Sequence, residues 1–167
     1  MYTICWSVKG GSGTTVVAAS LAAVSARSTG GALIVDLGGD IPATLGIAEP
    51  TGPGACDWLN ASSETMPDAL PYLMCDAGDS MRVLHRGVGE ITESDRLATF
   101  ASYLAEQSTF TVVDAGVGLP PQSLRDHALH SFLVIRPCYL ALRRATSVAK
   151  NADGVILLAE PGRALTR

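Results

Sequence analysis

The chain is poor in aromatic side chains and in charge. Aromatic residues make up 5% of its 167 residues and charged residues 17%, whereas 47% are hydrophobic. This composition excludes the polar, highly charged profile of a disordered chain and predicts a packed globule. The length fits a single domain over residues 1–167. The net charge of −4 argues against a protein that binds nucleic acid through its overall charge.

Paired cysteines and long apolar runs are missing as well. The four cysteines, Cys5, Cys56, Cys75 and Cys138, form no C-x-x-C pair, which disfavours a metal or disulfide role and predicts reduced, mostly buried thiols. No apolar run reaches the length of a membrane span, and the chain does not begin with a basic segment followed by an apolar one. These features predict a soluble, cytoplasmic protein.

Lysine is rare, since the chain has only Lys9 and Lys150 beside ten arginines. Lys9 lies in S-V-K-G-G-S-G-T-T (7–15), between an apolar segment and a stretch with helical character. Glycines allow several backbone N–H groups to converge, and the N-terminus of a following helix adds its dipole. This combination predicts an anion site for the phosphates of a nucleotide. The residues expected to form it are Gly10, Gly11, Ser12, Gly13, Thr14 and Thr15.

Two nucleotide-binding motifs compete for this loop. The dinucleotide fingerprint G-x-G-x-x-G fails at Val16, which stands where the third glycine belongs. Thr15 occupies the position where a P-loop has the hydroxyl that binds Mg²⁺, and the P-loop interpretation is therefore favoured. Thr14, however, stands where a P-loop has its lysine.

Apolar segments of strand length alternate with helical stretches along the rest of the chain. Strands are predicted over 2–7, 32–37, 81–85, 110–114, 132–136 and 154–159. Helices are predicted over 14–27, 43–45, 56–60, 92–107 and 140–150, with another ending near 127. Because each strand is a nearly continuous apolar run, we expect a doubly wound α/β fold with a mainly parallel sheet and helices on both faces.

Two aspartates end predicted strands. Asp36 follows the second strand and Asp114 the strand over 110–114. Ligands bind at the carboxyl ends of the strands in open α/β sheets, so both side chains are expected beside the glycine loop. An aspartate at such a place is also a common turn former or helix cap, and that alternative stays open.

The loop K-G-G-S-G-T-T (9–15) resembles the deviant Walker A loop of the MinD/ParA superfamily, K-G-G-x-G-K-[ST]. The resemblance implies Mg·ATP as the ligand, with Thr15 and Asp114 holding Mg²⁺ directly or through water. It also implies that Lys9 reaches the nucleotide of a partner subunit. Thr14 departs from the family's second lysine, and this departure resembles the CpaE/TadZ-like branch, which places pilus or secretion machinery and is linked to septum-site proteins.

The segment L-I-V-D-L-G-G-D (33–40) resembles the switch I region of the same superfamily, which usually carries D-x-D. Asp36 matches the first acid, Gly38 replaces the second, and Asp40 lies two residues late. The resemblance makes Asp36 and Asp40 the candidate catalytic residues.

The segment T-V-V-D-A-G-V-G (111–118) resembles switch II. Asp114 then corresponds to the acid that holds a Mg²⁺-bound water, and Gly116 to a glycine whose N–H faces the γ-phosphate. Relatives continue past the last strand with residues that form the adenine pocket, whereas this sequence stops after G-V-I-L-L-A-E-P-G-R-A-L-T-R (154–167). It is therefore expected to be a shortened homologue or a fragment, and the choice between ATP and GTP stays open.

The function implied by this resemblance is a nucleotide-dependent homodimer that binds ATP and hydrolyses it slowly or not at all. With an unidentified protein partner it would position a cell-envelope, pilus, secretion or division assembly, recruited to a pole or a septum. Nucleic acid is not an expected partner. One alternative is a non-enzymatic scaffold on a degenerate P-loop fold, and another is a small phosphotransferase, for which no segment clearly supplies an acceptor-binding lid.

Overall fold

A computed structural model of the chain describes residues 1–62 and 66–159. Its strands form one sheet. In chain order they are β1 (Tyr2–Ser7), β2 (Ala32–Asp36), β3 (Met74–Gly78), β4 (Met81–Leu84), β5 (Phe110–Val117), β6 (Ala128–Ile135) and β7 (Gly154–Leu157). Across the sheet the order is β3-β4-β2-β5-β1-β6-β7, and every neighbouring pair is parallel except β3 with β4. The doubly wound, mainly parallel α/β fold is confirmed.

Helices connect most of the strands and cover the two faces of the sheet. They are α1 (Thr14–Thr29), α2 (Ile41–Leu45), α3 (Ala55–Asn60), α4 (Asp95–Ala105), α5 (Gln122–Asp126) and α6 (Tyr139–Val148). Two 3₁₀ segments cover Pro67–Leu73 and Ala149–Asn151.

Alternate residues of the central strands pack into opposite layers. On β1, Ile4 lies in a buried cluster with Leu97 and Phe100 of α4, whereas Cys5 lies in a cluster with Ala18 of α1. Burying one large aliphatic side chain stabilises a fold by about 1.5–3 kcal/mol, so a strand buried on both faces is apolar at nearly every position. This explains the continuous apolar runs of the sequence.

Helix α1 lies against the sheet through small side chains. Ala18, Ala22 and Ala26 are buried, and the helix has no charged residue before Arg27. Alanine keeps the helix close to the sheet and has the highest intrinsic helix propensity. Gly30 ends the helix with a φ of 86°, and its N–H donates to the Ala26 carbonyl at 2.9 Å. Because its alanines pack closely against the sheet, α1 keeps its N-terminus at the end of β1.

The strands differ most from the prediction at three places. β3 was not predicted, because its residues, Met-Cys-Asp-Ala-Gly, form no apolar run. β5 continues to Val117 and β6 begins at Ala128, because these ends pair with the central strand β1 at Ser7 and Tyr2. Pairing with a buried neighbour therefore lengthens both strands beyond their apolar runs.

Two further expectations concern membranes and thiols. Within residues 1–62 and 66–159, no helix is long and apolar enough to cross a membrane. All four cysteines are free, with Cys5 and Cys56 buried and Cys75 and Cys138 half-buried.

Candidate functional site

The loop between β1 and α1 has backbone angles that favour glycine. Gly11 has a φ of 74° and Gly13 a φ of 89°, in the left-handed region that other residues rarely adopt. The hydroxyl of Ser12 donates to the Lys9 carbonyl at 2.7 Å, and the hydroxyl of Ser7 lies 3.2 Å from the same oxygen. These contacts hold the loop in a curve that leaves the first amides of α1 available to an anion.

A cavity of about 1060 Å³ opens above the loop at the carboxyl ends of the strands. This is the edge where ligands bind in open α/β sheets, and the volume is at the upper end of the range for small-molecule sites. The residues that line it come mainly from the glycine loop, the loops after β2, β4 and β5, and the end of β6. Among them are Gly10, Gly11, Ser12, Gly13, Thr14, Thr15, Gly38, Asp40, Arg86, Gly116 and Arg136.

Asp36 and Asp114 lie side by side, in register on β2 and β5, and both are fully buried. The two carboxylate oxygens of Asp36 accept the backbone N–H groups of Gly39 at 2.6 Å and Ile41 at 3.0 Å. Burial raises the pKa of Asp36, and these two hydrogen bonds oppose the rise. Asp36 is not among the described residues that line the cavity, whereas the exposed Asp40 is. In this structure Asp36 shapes the loop that carries Asp40.

The carboxylate of Asp114 is only partly hydrogen-bonded. Oδ1 accepts the N–H of Gly116 at 3.0 Å, while Oδ2 is buried and has no hydrogen-bond partner among the described residues. Burial raises the pKa of Asp114, and the nearby Thr15 hydroxyl opposes this rise. The Thr15 hydroxyl nevertheless makes no hydrogen bond of standard geometry to Oδ2. A buried carboxylate oxygen without a hydrogen-bond donor is energetically unfavourable, and a cation or its bound water would satisfy it.

These residues fit the Mg²⁺ that the sequence predicts. In the described part of the chain, no three His, Cys, Asp or Glu side chains are grouped as a protein cage for a metal. Mg²⁺ does not require one, because it binds through one or two protein oxygens together with phosphate oxygens and water. Thr15 lines the cavity, and the nearby Asp114, buried behind the described lining, has the unpaired oxygen, so the two residues fit this kind of partial site.

Gly38 and Gly116 are in close contact at the base of the cavity. A Cβ on Gly116, whose φ is 67°, would lie 3.1 Å from the Cα of Gly38. A Cβ on Gly38 would lie 3.2 Å from Oδ2 of Asp114. An acidic side chain at position 38, as in the D-x-D pattern, would therefore crowd the carboxylate of Asp114.

The two unusual positions of the loop differ in their surroundings. Thr14 has an exposed fraction of 6% and lines the cavity with a neutral side chain. Lys9 is half-exposed, and its Nζ donates to the carbonyl of the adjacent Gly10 at 3.0 Å. Lys9 is not among the described residues that line the cavity.

Two cations of the cavity wall were not predicted from the sequence. The guanidinium of Arg86 donates to the carbonyls of Leu37 and Gly89. Arg136 follows β6, and its guanidinium lies near Gly13. The sequence contains a signal for Arg136, because it comes directly after an apolar strand segment, as Asp36 and Asp114 end theirs.

Comparison with known proteins identifies relatives by structure alone. No family model and no curated protein sequence matches the chain. The structure is similar to a ParA family ATPase from Chlorobium tepidum TLS, with a TM-score of 0.74 and 20% identity over 95% of this chain and 73% of that one. It is also similar to the kinase domain of the Escherichia coli tyrosine kinase ETK, with a TM-score of 0.70 and 20% identity over 99% and 70% of the two chains.

A further similar structure is the septum site-determining protein MinD from Pyrococcus horikoshii OT3, complexed with Mg-ADP. Its TM-score is 0.70, with 18% identity over 98% of this chain and 72% of that one. At these identities the likeness concerns the fold, which is that of ParA- and MinD-type P-loop ATPases.

Proposed function

We propose that this protein binds Mg·ATP as a member of the MinD/ParA superfamily, in the CpaE/TadZ-like branch. The observation that carries the proposal is the meeting of the glycine loop and the N-terminus of α1 in one cavity, with the unpaired oxygen of Asp114 buried just behind it. Asp114 is not among the described residues that line the cavity, but Gly38, which does line it, lies next to this oxygen. Backbone donors at a helix N-terminus suit the phosphates, and the carboxylate suits a hydrated cation. Mg-ADP in the MinD structure of similar fold supports the choice of ligand.

Each loop residue has a specific part in this proposal. The backbone from Gly10 to Thr15 would bind the phosphates, and the Thr15 hydroxyl and Asp114 would hold Mg²⁺ directly or through water. When bound, Mg²⁺ would neutralise charge on the phosphate oxygens. Gly116 would offer its N–H toward the terminal phosphate, after exchanging the hydrogen bond that it now gives to Asp114.

Slow or absent hydrolysis is the expected consequence of the residues around the phosphates. Phosphoryl transfer depends on positive charge placed against the transferred group, and Thr14 supplies none. Gly38 also lacks the second acid of the D-x-D pattern, which leaves Asp40 as the acid on the cavity wall. We propose that Asp40 orients the attacking water and that Asp36 acts on the reaction only by holding the loop between them.

The biological role that we propose is inferred from the superfamily. We infer a cytoplasmic protein that forms a nucleotide-dependent homodimer, in which Lys9 contacts the nucleotide of the partner subunit. The dimer would bind a protein partner and position an envelope, pilus, secretion or division assembly at a pole or septum. The half-exposed Lys9, outside the described cavity lining, is compatible with contact to a second subunit.

A non-enzymatic scaffold is the second candidate. The neutral Thr14 favours it, because a fold that binds only proteins does not need a lysine at this position. In that case the cavity would persist as a feature of the fold without a nucleotide.

Calorimetric titration with ATP, ADP and GTP, each with and without Mg²⁺, tests the proposal. We expect Mg²⁺-dependent binding of ATP, weakened about ten- to a hundred-fold relative to a P-loop that has its lysine, since one charge-assisted hydrogen bond is missing. The absence of any nucleotide binding would favour the scaffold. Preference for GTP over ATP would contradict the assigned base.

A further inference from the structure

The phosphate side of the cavity has a cation that the loop itself does not supply. Thr14 is neutral, and Lys9, whose Nζ donates to the Gly10 carbonyl, is not among the described residues that line the cavity. Among the described residues that line the cavity, the cations are Arg86 and Arg136. These two side chains lie in different surroundings.

Arg86 is committed to the backbone of neighbouring loops. Its guanidinium donates to the Leu37 and Gly89 carbonyls, and its Cδ lies 3.4 Å from the position of a Cβ on Gly39. These contacts tie Arg86 to the loops after β2 and β4. Its guanidinium therefore stabilises this wall of the cavity.

Arg136 lies against the glycine loop. A Cβ on Gly13 would be 3.8 Å from Nη2 of Arg136 and 3.9 Å from its Nε. The sheet itself sets this proximity, because β6 pairs with β1 in parallel and Leu133 is the partner of Trp6. The two strands therefore end side by side, one leading into the loop and the other into Arg136.

We infer that Arg136, from the same subunit, places a positive charge beside the nucleotide phosphates and compensates in part for the neutral Thr14. This inference rests on the proposed function, because it concerns the phosphate end of the same ligand. A guanidinium can donate two parallel hydrogen bonds to a phosphate group and stays charged at any physiological pH. Its location after a central strand, rather than on a mobile arm, gives it a defined position beside Gly13.

Substitution of Arg136 tests this role by titration calorimetry of the full chain. Arg136→Gln keeps much of the length and polarity and removes the charge, and should weaken binding of Mg·ATP about ten- to a hundred-fold. Arg136→Lys should lose less, because the charge is kept. Arg27→Ala is the matched control: it also removes one positive charge, but from an exposed residue at the far end of α1, and should leave affinity within about two-fold.

Tripolyphosphate with Mg²⁺ serves as a second probe, because it lacks a base and reports on the phosphate contacts alone. Arg136→Gln should weaken its binding by the same factor as that of Mg·ATP. A second change, Thr14→Lys, should restore most of the affinity of Arg136→Gln, since the two cations serve one ligand. Equal affinity of Arg136→Gln and the unmodified chain for both probes would overturn the inference while leaving ATP binding intact. Failure of the unmodified chain to bind either probe would overturn the proposed function itself.

Discussion

The carboxylate of Asp114 is subject to opposing electrostatic effects. Burial is the main cause that raises its pKa, and the acids Asp36 and Asp40 add to the rise, whereas Thr15 and the Gly116 N–H lower it. A raised pKa means that the folded protein holds this proton more tightly than the unfolded chain does. The resulting stabilisation is fully present below the unfolded pKa of 3.8 and is lost as the pH rises through the higher folded value. Once Asp114 is ionised, this contribution to the stability of the fold is lost.

Replacing this carboxylate should separate stability from binding. Asp114→Asn keeps an oxygen that can accept from Gly116 and removes the buried charge, so we expect the melting temperature without nucleotide to rise by about 2–4 °C. The same change should weaken Mg²⁺-dependent ATP binding at least about ten-fold, because a neutral amide is a poor partner for a hydrated cation. Differential scanning fluorimetry and calorimetry measure the two effects. A lower melting temperature in the Asp114→Asn variant would contradict the stability prediction, and unchanged ATP affinity would contradict the role of Asp114 in Mg²⁺ binding.

Both the backbone conformation and the available space at position 13 require glycine. Its φ is 89°, and a Cβ on it would overlap Cδ1 of Leu158 and approach the Arg136 guanidinium. We expect Gly13→Val to abolish nucleotide binding, because the side chain displaces the loop and fills the space of the phosphates. The variant should also lose about 1–2 kcal/mol of unfolding free energy from the left-handed backbone.

Gly10→Ala is the matched control for the stability effect. A Cβ on Gly10 meets no atom within 4 Å in the part of the chain that the structure describes, and its backbone does not have a positive φ. Chemical denaturation should therefore find this variant as stable as the unmodified chain within about 0.5 kcal/mol. If Gly13→Val binds ATP with unchanged affinity, the glycine loop is not the phosphate site.

Among the helices, α4 offers a test of local stability away from the cavity. Its N-cap is Ser94, whose Oγ accepts the N–H of Leu97 at 3.1 Å. We expect Ser94→Ala to reduce the unfolding free energy by about 0.5–2 kcal/mol, without a change in nucleotide affinity. Thr92 is exposed, and Thr92→Ala should have no measurable effect. If urea denaturation finds the larger loss of unfolding free energy in Thr92→Ala, Thr92 rather than Ser94 is the N-cap of the helix.

The sequence predicted the buried elements better than those at the edge of the sheet. Leu97, Phe100, Ala101 and Leu104 follow helical spacing and are all fully buried in α4, because one apolar face determines both the pattern and the packing. β3 escaped prediction because its residues, Met-Cys-Asp-Ala-Gly, form no apolar run, unlike those of β7 at the opposite edge. The turn that joins it to β4 contains Asp79 and Ser80 with φ of 50° and 62°, and a Gly-Asp-Ser segment of this kind is the only local signal of the hairpin.

The candidate site was predictable where it depends on the ends of strands. Asp36 and Asp114 were expected at one edge, and they are in register there. Which oxygen of each acid is already hydrogen-bonded depends on loop geometry, which spacing along the chain does not encode. Thus both carboxylate oxygens of Asp36 accept backbone N–H groups, whereas Oδ2 of Asp114 has no hydrogen-bond donor among the described residues. Arg136 was missed because its proximity to Gly13 depends on the strand order, in which β6 lies beside β1.

For the molecule as a whole, the exposure of Lys9 at the rim of the glycine loop favours a site that a second subunit completes. The cavity is large and open to the surface side of the glycine loop, where Lys9 is half-exposed. The Nζ of Lys9 donates a hydrogen bond to an exposed carbonyl, that of Gly10. Such a bond is worth little when water competes for it, so the side chain is able to exchange this contact for a phosphate. A lysine that leaves the loop outward reaches a facing subunit more readily than its own cavity.

We therefore expect Mg·ATP to promote dimerisation, and Lys9→Ala to reduce it. An ammonium–phosphate contact shielded between two subunits is stronger than an exposed pair, and its loss should weaken the dimer about ten-fold or more. The stability of the monomer should not change, because the described hydrogen bond of the Lys9 side chain is an exposed one, to the Gly10 carbonyl. Sedimentation velocity of each variant, with and without saturating Mg·ATP, measures the effect at tens of micromolar protein.

Lys150→Ala is the matched control, since it removes the only other lysine, an exposed residue of the 3₁₀ segment Ala149–Asn151. It should dimerise like the unmodified chain, whereas Lys9→Ala should stay monomeric at the same concentration. A monomeric unmodified chain with saturating nucleotide, or equal dimerisation of the two variants, would show that Lys9 does not act across a subunit interface. The role proposed for Arg136 would not be affected, because its position beside Gly13 requires no second subunit.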